Sequence, residues 1–145
     1  MKQQELQVIH VVRGILTDVH QPHHVLIGLG KAYKWEIPGC LQPSECPDPI
    51  TALNSGLKHE LGPEIQLHTP KLYRRLTETK KPTNSPPQLW FVDFYTAHLE
   101  GTPRVTNPQE LRRIRWVTDR SLAQMHPQKF RYAHRELLAE ILNRN

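Results

Sequence analysis

His59 and Glu60 sit side by side in a segment with helical spacing, and Gly56 lies on the same face. Residues three and four apart on a helix share a face. Three carboxylates at positions 56, 59 and 60 would form a cluster able to hold a hard divalent ion. Such an ion neutralises negative charge on a bound group and can activate a water. This sequence offers a Gly, a His and a Glu there, which is one hard ligand and one borderline ligand. His59 is open to three readings: a solvated helix residue, a ligand that would favour Mn²⁺ or Zn²⁺ over Mg²⁺, or a hydrogen-bond donor to a phosphate. Glu60 reads equally as a metal ligand or as an ordinary surface residue. Gly56 does not serve helix stability, since Gly costs about 1 kcal/mol relative to Ala inside a helix. Either a neighbouring loop or ligand needs the space, or the position no longer matters.

The helix that carries these residues has clear ends. Asp48 is an N-cap, Pro49 suits the first helical position, and Gly62-Pro63 stops the helix. Ile50, Leu53, Leu57 and Leu61 recur at helical spacing, so one face must pack on a sheet. Strand signals surround it. They run over Leu6 to Thr17, Val25 to Leu29, Trp35 to Ile37 and pieces of Ile65 to Thr77 around Pro70. Further ones cover Gln88 to His98 and Ile114 to Val117. Lys80 to Pro87 and Glu100 to Gln109 read as loops. A short helix opens at Asp119, and Arg131 to Arg144 predicts the closing helix, with Ala133, Leu137, Leu138, Ile141 and Leu142 on its apolar face. This order predicts an α/β fold, a mixed sheet with helices on its faces.

The chain has 145 residues, 37% of them hydrophobic, which predicts one domain over 1–145 with its own core. It lacks a run of 18 apolar residues and an N-terminal apolar segment, so a cytoplasmic protein with no membrane span is expected. Cys40 and Cys46 read as two thiols rather than a disulfide or a zinc site. The formal charge of +5 favours phosphate-bearing partners. His20, His23 and His24 read as a polar hairpin turn. Trp90, Phe91, Phe94 and Tyr95 alternate along the strongest strand, some of them necessarily in the core.

Trp35-x-x-Pro38-Gly39, then Glu45, then the helix ending His59-Glu60-Leu61-Gly62 resembles the signature box of the Nudix hydrolases. Glu110-Leu111-x-x-Ile114-Arg115-Trp116-Val117 is similar to a segment that follows the last long strand in that family. The resemblance covers nearly the whole chain and implies the Nudix fold, a mixed β-sheet sandwiched between helices. The box is degenerate. Cys40 replaces the second Gly of the turn, Ser55-Gly56 stands where the family has Arg-Glu, and His59-Glu60 where it has Glu-Glu. The stretch from Glu45 to the helix is two residues longer when Glu60 and Gly62 anchor the match.

The resemblance implies Glu60 and Glu45 as catalytic residues. It implies Glu60, Glu45, His59 and Glu110 as ligands of Mg²⁺ or Mn²⁺, and Trp35 and Gly39 as part of the substrate site. Lys80 and Lys81 are further candidates for a ligand phosphate, because loops held by a rigid sheet often carry recognition. It also implies a homodimer and a small phosphorylated nucleotide-like ligand. Two functions follow. One is a divalent-metal-dependent pyrophosphohydrolase of nucleoside-diphosphate-linked substrates, weakened by the degenerate box. The other is a non-catalytic module that binds such a ligand as a sensor or regulator. A nucleic-acid partner is disfavoured, because no segment interleaves basic and aromatic residues.

Overall fold

The computed structural model describes residues 5–144. The strands are β1 (Gln7–Asp18), β2 (Val25–Gly30), β3 (Trp35–Glu36), β4 (Gly39–Leu41), β5 (Gln66–Lys80), β6 (Gln88–Glu100) and β7 (Leu111–Val117). The α-helices are α1 (Pro49–Leu61), α2 (Asp119–Ala123) and α3 (His134–Asn143), with a short 3₁₀ turn at Pro127–Lys129. One mixed sheet runs β3-β2-β1-β6-β5. β1 lies parallel to β6 over twelve rows, from Gln7↔Gln88 to Asp18↔Leu99.

Strand alternation sorts the core into two layers. Val12 and Leu16 of β1, Leu26 of β2, and Tyr95, Ala97 and Leu99 of β6 pack with Leu53, Leu57 and Leu61 of α1. On the other face, Ile15, Val25, Ile27 and Phe94 pack with Leu137, Leu138, Ile141 and Leu142 of α3. The sheet is therefore sandwiched between helices, as expected. Phe94 and Tyr95 both go to the core, on opposite faces.

The edge of β1 divides between two partners. Val11 to Arg13 pair with β4, and Thr17 pairs with Val25 of β2. Between them Ile37 and Pro38 link β3, which pairs with β2, to β4, with Gly14 N–H bonded to Pro38 O. This split positions the site. Gly39 makes the close β1–β4 approach possible: a Cβ there would sit 2.3 Å from the Val12 carbonyl oxygen.

The helix α1 begins and ends where the sequence predicts. Asp48 accepts from Ile50 N–H, Pro49 follows it, and Gly62 closes the helix with a φ of 102°. Four elements differ from expectation. β4 was hidden in the box because a three-residue strand carries no periodicity. β7 starts three residues earlier, at Leu111, which is buried against Gly28. The closing helix starts at His134, because Ala133 is left-handed at φ 69° and leaves the apolar face. β5 runs continuously past Pro70, with register shifts at His68/Lys71 and Leu72/Arg74 taking up the irregularity. Both cysteines are free thiols.

Candidate functional site

The C-terminal end of α1 faces the split in the sheet, and Glu60 is the residue it delivers there. Burial pushes the Glu60 carboxyl up to about 7, helped by the negative charges of Glu36 and Glu110 and opposed by Arg13. Four charged groups from α1, β3, β1 and the loop before β7 thus act on one another. Glu110 is exposed and paired with Lys31 at 3.0 Å. Glu36 is more enclosed. Arg13 Nη1 lies 3.8 Å from one of its oxygens and Arg131 Nη1 3.3 Å from the other.

Arg13 is only 7% exposed, on the face of β1 that points to Ile37 and α3. Burial lowers its pKa to about 10, against the favourable charge of Glu36. A buried cation requires partners. Arg13 donates to the Ile37 carbonyl at 2.6 Å as well as meeting Glu36. The same peptide is held from its other side, where Ile37 N–H donates to His134 Nδ1 at 2.9 Å. That bond places the ring proton of His134 on Nε2. His134 also meets Phe94 edge-to-face at 5.4 Å. The Ile37 peptide, at the floor of the split, is clamped by β1 and α3 together.

Gly56 has a structural reason. A Cβ on it would lie 2.2 Å from Cys40 Sγ and 2.8 Å from Cys40 Cβ. The thiol at the turn and the missing side chain on the helix fill one space. Of the two readings left open by the sequence, the neighbouring loop is the one observed. A side chain at position 56 cannot share that space with Cys40 in place.

The remaining candidates are spread out. His59 is exposed, and its ring nitrogen Nε2 lies 3.2 Å from Asn107 Nδ2. Glu45 is exposed in the loop before α1 and accepts from its neighbour Ser44 at 3.4 Å. Trp35 packs against the α3-side core and accepts from Arg131 N–H at 2.8 Å. Lys80 stands over the Trp90 ring, 4.1 Å from its centroid. It pairs with Gln88, six rows from the Arg13↔Phe94 row. At ~3.3 Å per residue that separation is about 20 Å. Lys80, and Lys81 beyond it, are therefore not brought to the Glu60 end of the molecule.

Sequence reasoning passed over Arg13, Glu36 and His134 as site residues. Arg13 had a signal. It interrupts the set Val11, Arg13, Ile15, which shares one face of a strand whose neighbours are apolar. A charge at such a position must be satisfied by something specific. His134 had none, since its role depends on α3 returning to Ile37 nearly a hundred residues away.

Mg²⁺ prefers near-octahedral oxygen ligation and is often held by one or two carboxylates with substrate phosphates. Glu60 and Glu110 offer carboxylates. Glu36 is engaged by two guanidiniums, and Gly56 offers nothing. Among the described residues, no group of three or more His, Cys, Asp or Glu is placed to hold a metal ion. The donor set does not fit a metal held by protein ligands alone.

The Glu60 environment has a measurable consequence. Its carboxyl is harder to ionise folded than unfolded, so the fold bears no penalty below the unfolded pKa of about 4.5 and the full penalty above about 7. The gap corresponds to ~3 kcal/mol at most. Glu60→Gln is expected to stabilise the protein by roughly 1–3 kcal/mol at pH 8 and by little at pH 4.5. Urea midpoints at the two pH values check this; equal effects at both would mean Glu60 ionises freely.

The chain has the Nudix fold. A MutT Nudix hydrolase from Burkholderia pseudomallei superposes with a TM-score of 0.71 at 22% identity, covering 91% of this chain and 96% of that one. A MutT protein from Bacillus halodurans gives 0.70 at 15% identity, covering 92% and 82%. The Nudix domain of NrtR from Shewanella oneidensis, solved with ADP-ribose, gives 0.64 at 16% identity, covering 99% and 90%. No family model and no curated protein matches the sequence. No helix among the described residues is long and apolar enough to cross a membrane.

Proposed function

We propose that this protein binds a phosphorylated nucleotide-like ligand at the C-terminal end of α1 and acts as a sensor or regulator rather than as an efficient hydrolase. The observation that carries this reading is the contact between Gly56 and Cys40. It fills the place of one of the helical carboxylates that the family resemblance implies for metal-dependent hydrolysis. His59, at a second such place, is turned to Asn107. The fold supports the ligand class, since one neighbour of the same fold was solved with ADP-ribose.

A second reading is metal-dependent hydrolysis of a nucleoside-diphosphate-linked substrate. The mutual influence of Glu60 and Glu110 favours it, because two carboxylates could complete Mg²⁺ or Mn²⁺ ligation with substrate phosphates. One experiment separates the two. ADP-ribose is titrated calorimetrically into the protein with Mg²⁺, with Mn²⁺ and with EDTA, and the recovered ligand is assayed for cleavage. Binding with intact ligand supports the sensor reading. Metal-dependent cleavage abolished by Glu60→Gln supports the hydrolase. Absence of binding by ADP-ribose and by a panel of nucleoside diphosphates sinks both.

A further inference from the structure

We propose that Arg13 and Arg131 form a guanidinium clamp for the ligand's diphosphate, taking the place of a bridging metal ion. The inference rests on the nucleotide-binding reading above and names the groups that would grip the phosphates.

The two arginines converge on opposite oxygens of Glu36, from β1 and from the segment before α3. The two guanidiniums share Glu36, and Glu60 also acts on Arg13, so the arginines are the cationic groups among the carboxylates of the split. His134, on the other side of the Ile37 peptide, is held neutral by burial first and then by the charges of Arg13 and Arg131.

Donor capacity remains on both arginines. Arg13 uses Nη1 for Ile37 O and Glu36. Its Nε and Nη2 make no bond to a described residue, yet neither is among the buried atoms left without a partner; His24 Nδ1 is the one such atom among the described residues. The Arg13 side chain is 8% exposed. Arg131 uses Nη1 for Glu36, and its side chain is 46% exposed. A guanidinium offers five N–H donors in a planar fork suited to phosphate oxygens. Arg13 is also held in place before any ligand arrives, by Ile37 O and Glu36, so little side-chain freedom is lost on binding.

The test uses inorganic pyrophosphate and ADP-ribose, titrated into the intact protein in EDTA and again in Mg²⁺. The expected result is binding of both probes in EDTA, with Arg131→Gln and Arg13→Lys each weakening it at least tenfold. Arg131→Gln alters a half-exposed residue and keeps the test sound if Arg13→Lys does not fold. Binding only in Mg²⁺ would overturn the clamp while leaving the nucleotide reading intact. So would EDTA-insensitive binding unchanged by Arg131→Gln. Failure of both probes and of every nucleoside diphosphate, with or without metal, would remove the nucleotide reading itself and the clamp with it.

Discussion

Gly56→Ala should destabilise this protein by roughly 1–3 kcal/mol, the usual cost of overpacking. Inside an ordinary helix the same change gains about 1 kcal/mol. The reversal comes from Cys40. Its sulfur could rotate away from the new methyl group, but its Cβ, at 2.8 Å, moves only if β4 moves. β4 is fixed to β1 through Gly39, which has no slack against the Val12 carbonyl. In a Cys40→Gly background the sign should flip, and Gly56→Ala should stabilise. A double-mutant cycle from urea denaturation would then show a coupling of ~2–4 kcal/mol between the two sites. An additive result would mean that the turn and the helix do not compete for the space. The same background opens room for Cys40→Gly combined with Gly56→Glu, which supplies a carboxylate beside Glu60. Mg²⁺ titration of that variant against the parent would show how far the thiol keeps the ion out.

The second large effect concerns acid. His134 is 3% exposed and resists protonation down to about 2, whereas an unfolded histidine titrates near 6.5. Above pH 6.5 both states are neutral and the residue adds no pH dependence. Below it the unfolded chain takes up a proton that the fold refuses. Stability is then lost at ~1.4 kcal/mol per pH unit, or about 3 kcal/mol between pH 6.5 and 4.5. His134→Gln should abolish this acid loss, because its side-chain carbonyl can accept from Ile37 N–H and does not titrate. His134→Ala should be destabilised by roughly 3 kcal/mol above pH 6.5, through an unpaired Ile37 N–H and a cavity beside Phe94, with the difference closing toward pH 4.5 as the parent loses stability. Urea midpoints from pH 4.5 to 8 would decide it. Because Glu60 titrates over the same range with the opposite sign, the profile is read in a Glu60→Gln background; a flat profile there would show that His134 is accessible to protons.

The sequence displayed α1 almost to the residue, because Asp48, Pro49 and Gly62 are local signals whose physics needs no tertiary partner. The strands were visible for a similar reason: apolar and β-branched runs bounded by turns. The sandwich followed from their order. The site was less legible. Glu60 was named from the sequence, and Glu36, Arg13 and Glu110 act on it in the structure. Lys80 and Lys81 looked plausible on a Pro-rich loop, yet strand register carries them to the far end of β6. Arg13, Glu36 and His134 acquire their roles only when β1, β3 and α3 meet around one peptide. That meeting is a property of the assembled fold and is not written in any local window. Gly56 was noticed as odd but could be explained only once Cys40 was placed against it.

The parallel pairing of β1 with β6 also governs how the chain reaches this state. Gln7 and Gln88 are 81 positions apart, yet they lie side by side at the centre of the sheet. A ribosome makes β1 well before β6, and β1 must then wait with one long edge unpaired until β6 emerges. Such distant pairings place a protein among the slower folders, in the millisecond-to-second range rather than microseconds. During that wait the run from Val11 to Leu16 is an exposed, sticky ribbon, which makes the nascent chain a natural client for chaperones.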